Sequence, residues 1–337
     1  MLNQGRPTLM PEKDGADAPR WREPGVMERL TAAANAAGAT AEAVYNGAAV
    51  LEIKGDRALA RKGYERALNM NPKLANAISR MARLAVVDGR GDEAQRLFDA
   101  ALQIDPANAG SHNRLAERAI AEGRYQEAIE HERMALVADP DDQDAYLILA
   151  VAMLHLDLLD ADVLVGRSAL ALDDRDAAIE GVLGMVFLKK GEVRQAVQLF
   201  EKAIVDAPES FDARMNLGAV TLSYKDYAAS AEQFRKAASL KPTDVVSRMA
   251  LAVALRGAGK GDEALTLLDE VLRLQPANVD VRYNRCILFQ ETLNKNEAAL
   301  AECEAFLKAA PADHPKLKEA GRRIEGIRAT LEAMKLQ

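Results

Sequence analysis

The stretch GEVRQAVQLFEKAIVDAP, residues 191–208, decides the fold because its order of turn-forming, small and aromatic residues recurs along the chain. The copies are spaced by 34 residues or by a multiple of that number. Three earlier copies are Gly55, Ala60, Tyr64, Ala67 and Pro72; Gly89, Ala94, Phe98, Ala101 and Pro106; and Gly123, Ala128, Ala135 and Pro140. A fixed period of this length predicts a solenoid, since each unit can bury its apolar face only against its neighbours.

Each repeat unit divides into two segments of helical pattern around a turn that contains Gly or Asp, and a Pro usually opens the next linker. Short connections of this kind favour pairs of antiparallel helices. Eight units are expected to begin near Ala41, Ala75, Ala109, Gln143, Ala177, Phe211, Val245 and Val279.

The period, the small residue at the start of the second helix, the aromatic residue four positions later and the closing Pro resemble the tetratricopeptide repeat (TPR) family. The likeness covers roughly residues 41–311 and implies an all-α, right-handed superhelical solenoid of about eight TPR units. It also implies a concave groove, lined by the first helices, that holds a peptide or a partner protein. Unit five carries the pattern best, with Leu183, Gly184, Phe187, Gly191, Ala196, Phe200, Ala203 and Pro208.

The remaining residues are expected to flank this array. Residues 1–22 lack apolar periodicity and are predicted to be a flexible segment. Residues 23–40 are predicted to hold an N-terminal capping helix, because Val26, Leu30 and Ala33 repeat the offsets of a second helix. Residues 312–337 are predicted to form a charged, amphipathic C-terminal capping helix.

Units one, four and eight depart from the pattern, and unit eight does so by one extra residue in its turn, Thr292–Asn296. Unit one has Gly47 where a leucine is common, and unit four lacks both the turn glycine and the closing proline. Sliding the second helix of unit four by one residue would restore small, apolar and small residues at Ala161, Val165 and Ser168.

The resemblance assigns the groove to first-helix side chains that do not pack within their own unit. One end is rich in arginine and is expected to pair with acidic groups of a ligand. The middle is a strip of aliphatic and Met side chains, which is typical of a surface that fits varied apolar partners. The predicted groove residues are Arg80, Arg83, Asn113, Arg114, Leu147, Ile148, Val151, Leu154, Val182, Met185, Leu188, Met215, Leu222, Met249 and Val253.

Three other interpretations of this strip stay open. Curvature of the stack could bury individual side chains between adjacent first helices. The N-terminal segment, with Leu2, Met10 and Trp21, could itself lie in the groove. The arginines could equally be solvated surface charges.

Composition excludes several classes of function. The formal net charge of −7 argues against binding to nucleic acid or to anionic lipid. No stretch is apolar enough for a membrane span, and residues 1–20 contain no signal-peptide core. As written the chain is expected to be cytoplasmic, or periplasmic if a leader has been removed.

No motif for catalysis, metal or cofactor binding emerges. Residues 257–262 look like a phosphate-binding loop, but they follow a helix and coincide with a turn of the repeat. The four histidines fall in different slots, which argues against a metal site. The acidic pairs at residues 141–142 and 173–174 are expected to cap helices. We therefore expect a non-enzymatic protein with no catalytic residue, no metal and no cofactor.

Cys286 and Cys303 fall in facing slots of the two helices of unit eight. A disulfide between them is geometrically feasible, and two buried thiols are the alternative. A reducing cytoplasm favours the thiols and a periplasm favours the disulfide.

These observations predict a protein-protein interaction scaffold that binds a helix or extended segment of a partner and helps to assemble a complex. The alternative is a self-associating, homodimeric component of a cell-envelope machine. A third hypothesis is the targeting arm of an enzyme. The Ala-rich style is similar to that of bacterial repeat proteins, including those of envelope assembly and gliding motility.

Overall fold

A computed structural model describes residues 25–335, and every regular element in that range is an α-helix. The segment predicted to be flexible, residues 1–22, lies outside the described residues. The helices are α1 (Val26–Asn35), α2 (Ala41–Ile53), α3 (Arg57–Met70), α4 (Ala75–Val87), α5 (Gly91–Ile104), α6 (Ala109–Ala121), α7 (Tyr125–Ala138), α8 (Gln143–His155), α9 (Leu159–Leu172), α10 (Ala177–Lys189), α11 (Val193–Asp206), α12 (Phe211–Ser223), α13 (Tyr227–Leu240), α14 (Val245–Gly257), α15 (Gly261–Leu274), α16 (Val279–Glu291), α17 (Asn296–Ala309) and α18 (Leu317–Lys335). The eight pairs from α2–α3 to α16–α17 are the predicted repeat units.

The described residues divide into two compact bodies, residues 25–191 and residues 192–335. In the N-terminal body α1 packs on α2, and the hairpins α2–α3, α4–α5, α6–α7 and α8–α9 follow in order. The first helices also contact one another, α4 with α6, α6 with α8 and α8 with α10. One face of this body is therefore built from consecutive first helices.

The C-terminal body repeats this arrangement. Its hairpins are α12–α13, α14–α15 and α16–α17, and its first helices contact one another in the same way, α12 with α14 and α14 with α16. The last helix, α18, packs on α17 and buries Ala320, Ile324 and Ile327.

Helix boundaries follow from capping chemistry. The side chains of Asn108, Asp142 and Asp176 accept hydrogen bonds from the backbone N–H groups of the first turns of α6, α8 and α10. The turn inside each hairpin needs one residue in the left-handed region. Five units place glycine there, and the other three place Asp157, Lys225 and Asn294, with φ of 56°, 61° and 52°.

The repeated small and aromatic residues form the core, as the 34-residue pattern predicts. Ala60 and Ala67 bracket Tyr64 on one face of α3, and Ala196 and Ala203 bracket Phe200 on one face of α11. All of these residues are fully buried. Small residues let the helices of a hairpin approach closely, and the aromatic ring fills the space beside them.

Gly47 is explained by the contact between α1 and α2. A Cβ atom at this position would lie 2.4 Å from Cβ of Ala34 on α1, so no larger residue fits unless α1 moves. Gly47, which departs from the repeat pattern, is therefore what allows α1 to pack against α2.

The predicted one-residue slide in unit four is wrong. The second helix, α9, keeps the common register and buries Asp162, Gly166 and Ala169, whereas Ala161 and Ser168 are exposed. The aromatic slot is filled from the next unit, because a Cβ on Gly166 would lie within 2.6 Å of the side chain of Leu183. A leucine from α10 thus replaces the missing ring.

None of the helices in residues 25–335 combines the length and the apolar character that crossing a membrane requires.

Candidate functional site

The apolar part of the predicted groove in the N-terminal body lies on α8 and α10, two first helices in contact. Five of its side chains are only half-buried, so each leaves part of its apolar surface accessible. We call this set the inner apolar patch; it consists of Leu147, Val151, Val182, Met185 and Leu188.

Two residues predicted for the same strip belong to the core. Ile148 is 7% exposed and joins the cluster that includes Ala116 and Ile129, and Leu154 is 2% exposed. Successive side chains on an α-helix point about 100° apart. Ile148 therefore faces the neighbouring helices, while Leu147, one position earlier, is half-buried. Neither Ile148 nor Leu154 offers surface to a ligand.

The arginine-rich end of the predicted groove is a buried ionic network. Arg83 forms an ion pair with Glu52 of α2, and Nη1 of Arg80 lies 3.9 Å from the same carboxylate. The hydroxyl of Tyr64 donates to Glu52 at 2.6 Å. Burial, followed by the charge of Glu52, raises the pKa of this phenol above its ordinary value. Arg80 and Arg83 therefore join units one and two, and neither is a solvated surface charge.

The other two predicted polar residues also have internal partners. Asn113 donates its Nδ2 proton to Asp142 at 2.8 Å, and Arg114 pairs with Glu117 one turn later at 2.6 Å. Asp142 at the same time caps α8. The hydrogen bond of Asn113 with Asp142 links α6 to the start of α8, whereas the pair of Arg114 and Glu117 lies within α6.

In the C-terminal body the predicted groove residues are Met215, Leu222, Met249 and Val253, and all four are half-buried. Met215, Leu222 and Met249 pack against the core cluster that contains Phe234 and Leu255. These three side chains thus lie at the edge of that core cluster and are partly accessible to solvent. A separate shallow cleft of about 420 Å³ lies among α13, α14 and α15, with Leu251, Leu255 and Leu267 on its apolar wall.

Among the buried carboxyl groups that the sequence analysis missed, two stand out. Glu132 of α7 and Asp162 of α9 are each 0% exposed, and neither carboxyl group has a hydrogen-bond partner. Burial, and then the negative charges of Asp142, Glu117 and Asp144, raises the pKa of Glu132 well above its usual value. Burial alone raises the pKa of Asp162 to about 7. The repeat register was the available signal, because Glu132 stands in the aromatic slot and Asp162 in the small-residue slot.

The structure also brings together two histidines that the sequence analysis placed in unrelated slots. Nδ1 of His112 on α6 lies 3.0 Å from Nδ1 of His131 on α7. Burial, and then the charge of His112, lowers the pKa of His131. Across residues 25–335, no three His, Cys, Asp or Glu side chains are grouped closely enough to hold a metal ion.

The remaining sequence features have structural roles. Cys286 and Cys303 are joined by a disulfide between α16 and α17, and both are fully buried. The phosphate-loop lookalike, residues 257–262, spans the turn from α14 to α15. Asp142 and Asp176 are the caps of α8 and α10, while Asp173 accepts from the backbone N–H of Arg175.

Comparison with known families agrees with this architecture. The family model described as tetratricopeptide repeat matches residues 79–143, 182–245 and 249–314, which together make up more than half of the chain. The protein belongs to the tetratricopeptide repeat family. No curated protein matches the sequence significantly.

Several solved structures share the fold. YrrB, described as a TPR protein with an unusual peptide-binding site, is 24% identical, with a TM-score of 0.50 over 57% of this chain and 97% of its own. Pseudomonas aeruginosa PilF is 21% identical, with a TM-score of 0.54 over 67% of this chain and 98% of its own. A chain of the APC/C hetero-tetramer Cut9–Hcn1 is 14% identical, with a TM-score of 0.60 over 89% of this chain and 58% of its own.

Proposed function

We propose that this protein is a non-catalytic scaffold whose inner apolar patch binds a helix or an extended segment of a partner protein and so helps to assemble a complex. The observation that carries the proposal is the pairing of α8 and α10, which sets five half-buried aliphatic and Met side chains on neighbouring first helices. Proteins of this family generally bind other proteins or peptides. YrrB, which shares the fold, is described as having a peptide-binding site.

The chemistry of the patch favours an apolar segment as the ligand. Leu147 and Val151 lie one helical turn apart on α8, and Met185 and Leu188 lie on consecutive turns of α10. Covering such side chains contributes ~25 cal/mol for each Å² removed from water, before the cost of ordering the ligand. The flexible Met185 can adapt to ligand side chains of different shape. Because Arg80 and Arg83 are paired with Glu52, the affinity rests on apolar contact more than on charge.

The experiment is a comparison of partner capture from native extract by two pairs of variants. Val151→Asp and Met185→Asp place a charge in the patch, and each should reduce capture at least about tenfold, since a buried unpaired charge costs several kcal/mol. Val137→Asp and Leu164→Asp are the matched controls on second helices, where these side chains are 74% and 65% exposed. Circular dichroism should show the same helix content in all four variants. Equal capture by patch and control variants would refute the proposal.

A photo-crosslinking amino acid at Met185 identifies the occupant directly. A crosslink to another protein supports the scaffold. A crosslink to a second copy supports the homodimer, which sedimentation at micromolar concentration checks independently. A crosslink to residues 1–24 of the same chain would instead make the patch an internal contact.

A further inference from the structure

Helix α8, which carries part of the inner apolar patch, is packed between two helices that each bury a carboxyl group. α7 on one side carries Glu132, and α9 on the other side carries Asp162. Both side chains are 0% exposed. None of their four carboxyl oxygen atoms has a hydrogen-bond partner.

Both groups replace apolar residues of the repeat. The slot of Asp162 holds the fully buried Ala60, Ala128 and Ala196 in other units, and the slot of Glu132 holds Tyr64 and Phe200. An ionised carboxylate in such a slot loses its hydration without gaining a partner, whereas the protonated acid is tolerated much better. The packing of α8 is therefore compatible with neutral carboxyl groups and opposed by ionised ones.

We propose that α7, α8 and α9 form a pH-sensitive element, in which protonated Glu132 and Asp162 keep α8 packed and their ionisation loosens it. As the pH rises, Leu147 and Val151 then lose their fixed positions. Only the effect of this loosening on partner binding rests on the proposed function. Acid thus strengthens the partner-binding patch and base weakens it.

Most of the charged groups around Glu132 also oppose its ionisation. Glu132 faces Glu117 and Arg114 from α6, and Asp142 and Asp144 from the start of α8. Three of these four neighbours are negative and oppose its ionisation. Around Asp162 burial is the cause of the raised pKa. The helix α10, which packs against both α8 and α9, carries a further buried carboxyl group, that of Glu180. The nearby ion pair of Lys190 with Asp160 joins α10 to α9 at the surface.

The sign of the pH dependence follows from proton linkage. The folded pKa of Asp162 is about 7, above its ordinary value of 3.8, so the folded state holds this proton more tightly than the unfolded state does. Its contribution to stability is greatest below the ordinary pKa and is lost as the pH rises through the folded value. The raised pKa of Glu132 adds a loss of stability of the same sign.

Hydrogen exchange of the α8 backbone tests the proposal without any partner. Protection factors for residues 143–155, in which the pH dependence of intrinsic exchange is divided out, should fall by at least about tenfold between about pH 5 and about pH 8. Residues 211–223 of α12 serve as the reference helix.

Asp162→Ala restores the residue of the other units and should abolish most of this fall, and Glu132→Leu should remove much of the remainder. Asp141→Ala is the matched control, since Asp141 is exposed beside the same helix. His131 and His155, whose pKa values are lowered, can also change protonation over this pH range. Wild type and variants share that effect, so the difference in protection between wild type and variant reports on the carboxyl groups alone. Equal protection of α8 at both pH values in the wild type, or an unchanged fall in Asp162→Ala, would overturn the proposal.

These outcomes are separable from those of the capture experiment. If α8 loosens with pH but Val151→Asp captures the partner normally, the pH-sensitive element stands and the proposed function fails. If capture depends on Val151 and α8 does not respond to pH, the scaffold stands and the pH-sensitive element fails.

Discussion

His112 and His131 face each other across the hairpin of α6 and α7, and a hydrogen bond joins their Nδ1 atoms at 3.0 Å. Nε2 of His112 lies 3.0 Å from the carbonyl oxygen of Pro106, which can only accept, so His112 carries its proton on Nε2. In the neutral imidazole of His112, Nδ1 is then the acceptor, and Nδ1–H of His131 is the donor. The ring centroids are 5.3 Å apart, and the ring planes are tilted by 42°.

The contact of His112 with Pro106 recurs in the C-terminal body, where Arg214 and Arg248 occupy the same slot and donate to the carbonyl groups of Pro208 and Pro242. We therefore expect His112→Arg to cost less than about 1 kcal/mol, and His112→Ala to cost about 2–3 kcal/mol through the lost contact and the cavity. Urea unfolding measures both values. Equal costs would show that the linker contact is unimportant.

The network around Glu52 predicts a large loss when its charge is removed. Glu52→Gln leaves two buried arginines without a carboxylate partner and should lower the free energy of unfolding by about 3–5 kcal/mol. Tyr64→Phe removes one hydrogen bond to the same carboxylate and should lower it by about 1.5–3 kcal/mol. A double-mutant cycle measured by urea unfolding should give a coupling energy between the two changes. Glu65→Gln on the exposed side of α3 is the control. Strictly additive costs would argue against a network.

The turn of unit six stores strain that glycine would relieve. Lys225 is exposed and adopts φ of 61°, at the position where the two adjacent units have Gly191 and Gly259. Lys225→Gly should stabilise the protein by about 0.5–1 kcal/mol, because the relieved strain exceeds the entropy that glycine gains in the unfolded state. The reverse change, Gly259→Lys, should destabilise it by a similar amount. Thermal unfolding followed by circular dichroism measures both, and a lower melting temperature for Lys225→Gly would contradict the prediction.

The disulfide between Cys286 and Cys303 closes a short loop, with a sequence separation of 17 residues. Removing it in the double variant Cys286→Ala, Cys303→Ala should lower the free energy of unfolding by about 3 kcal/mol, since the unfolded chain regains the entropy of the open loop. Guanidinium unfolding of both proteins without reductant gives this difference. Adding reductant to the native wild type should act slowly because both sulfurs are buried. Equal stability of the oxidised wild type and the double variant would contradict the prediction.

The sequence predicts the repeat fold well because the same pattern of turn, small and aromatic residues occurs in successive units. Small residues such as Ala196, the aromatic slot of Phe200 and the turn glycines each recur at a fixed period, so an error in one unit is corrected by the others. The same redundancy placed Cys286 opposite Cys303. It failed in unit four, where Asp162 and Gly166 occupy the common slots and the apolar pattern alone favoured a shifted helix.

The candidate site was harder to predict because its residues differ from unit to unit. Leu147 is half-buried and its neighbour Ile148 is buried. This difference depends on how closely adjacent first helices pack, which the pattern within one unit does not encode. The pairing of Arg83 with Glu52, 31 residues earlier, likewise requires knowing that two units stack in register. The hydrogen bond between His112 and His131 depends on the turn that brings α6 against α7.

The contact between Gly166 and Leu183 has a consequence for how this chain can change over time. A ring introduced at position 166 would collide with Leu183, and trimming Leu183 alone would open a void beside the glycine. Relatives that regain the aromatic residue should therefore carry a smaller side chain at the second position. The two sites should covary as a pair, although they lie in different repeats.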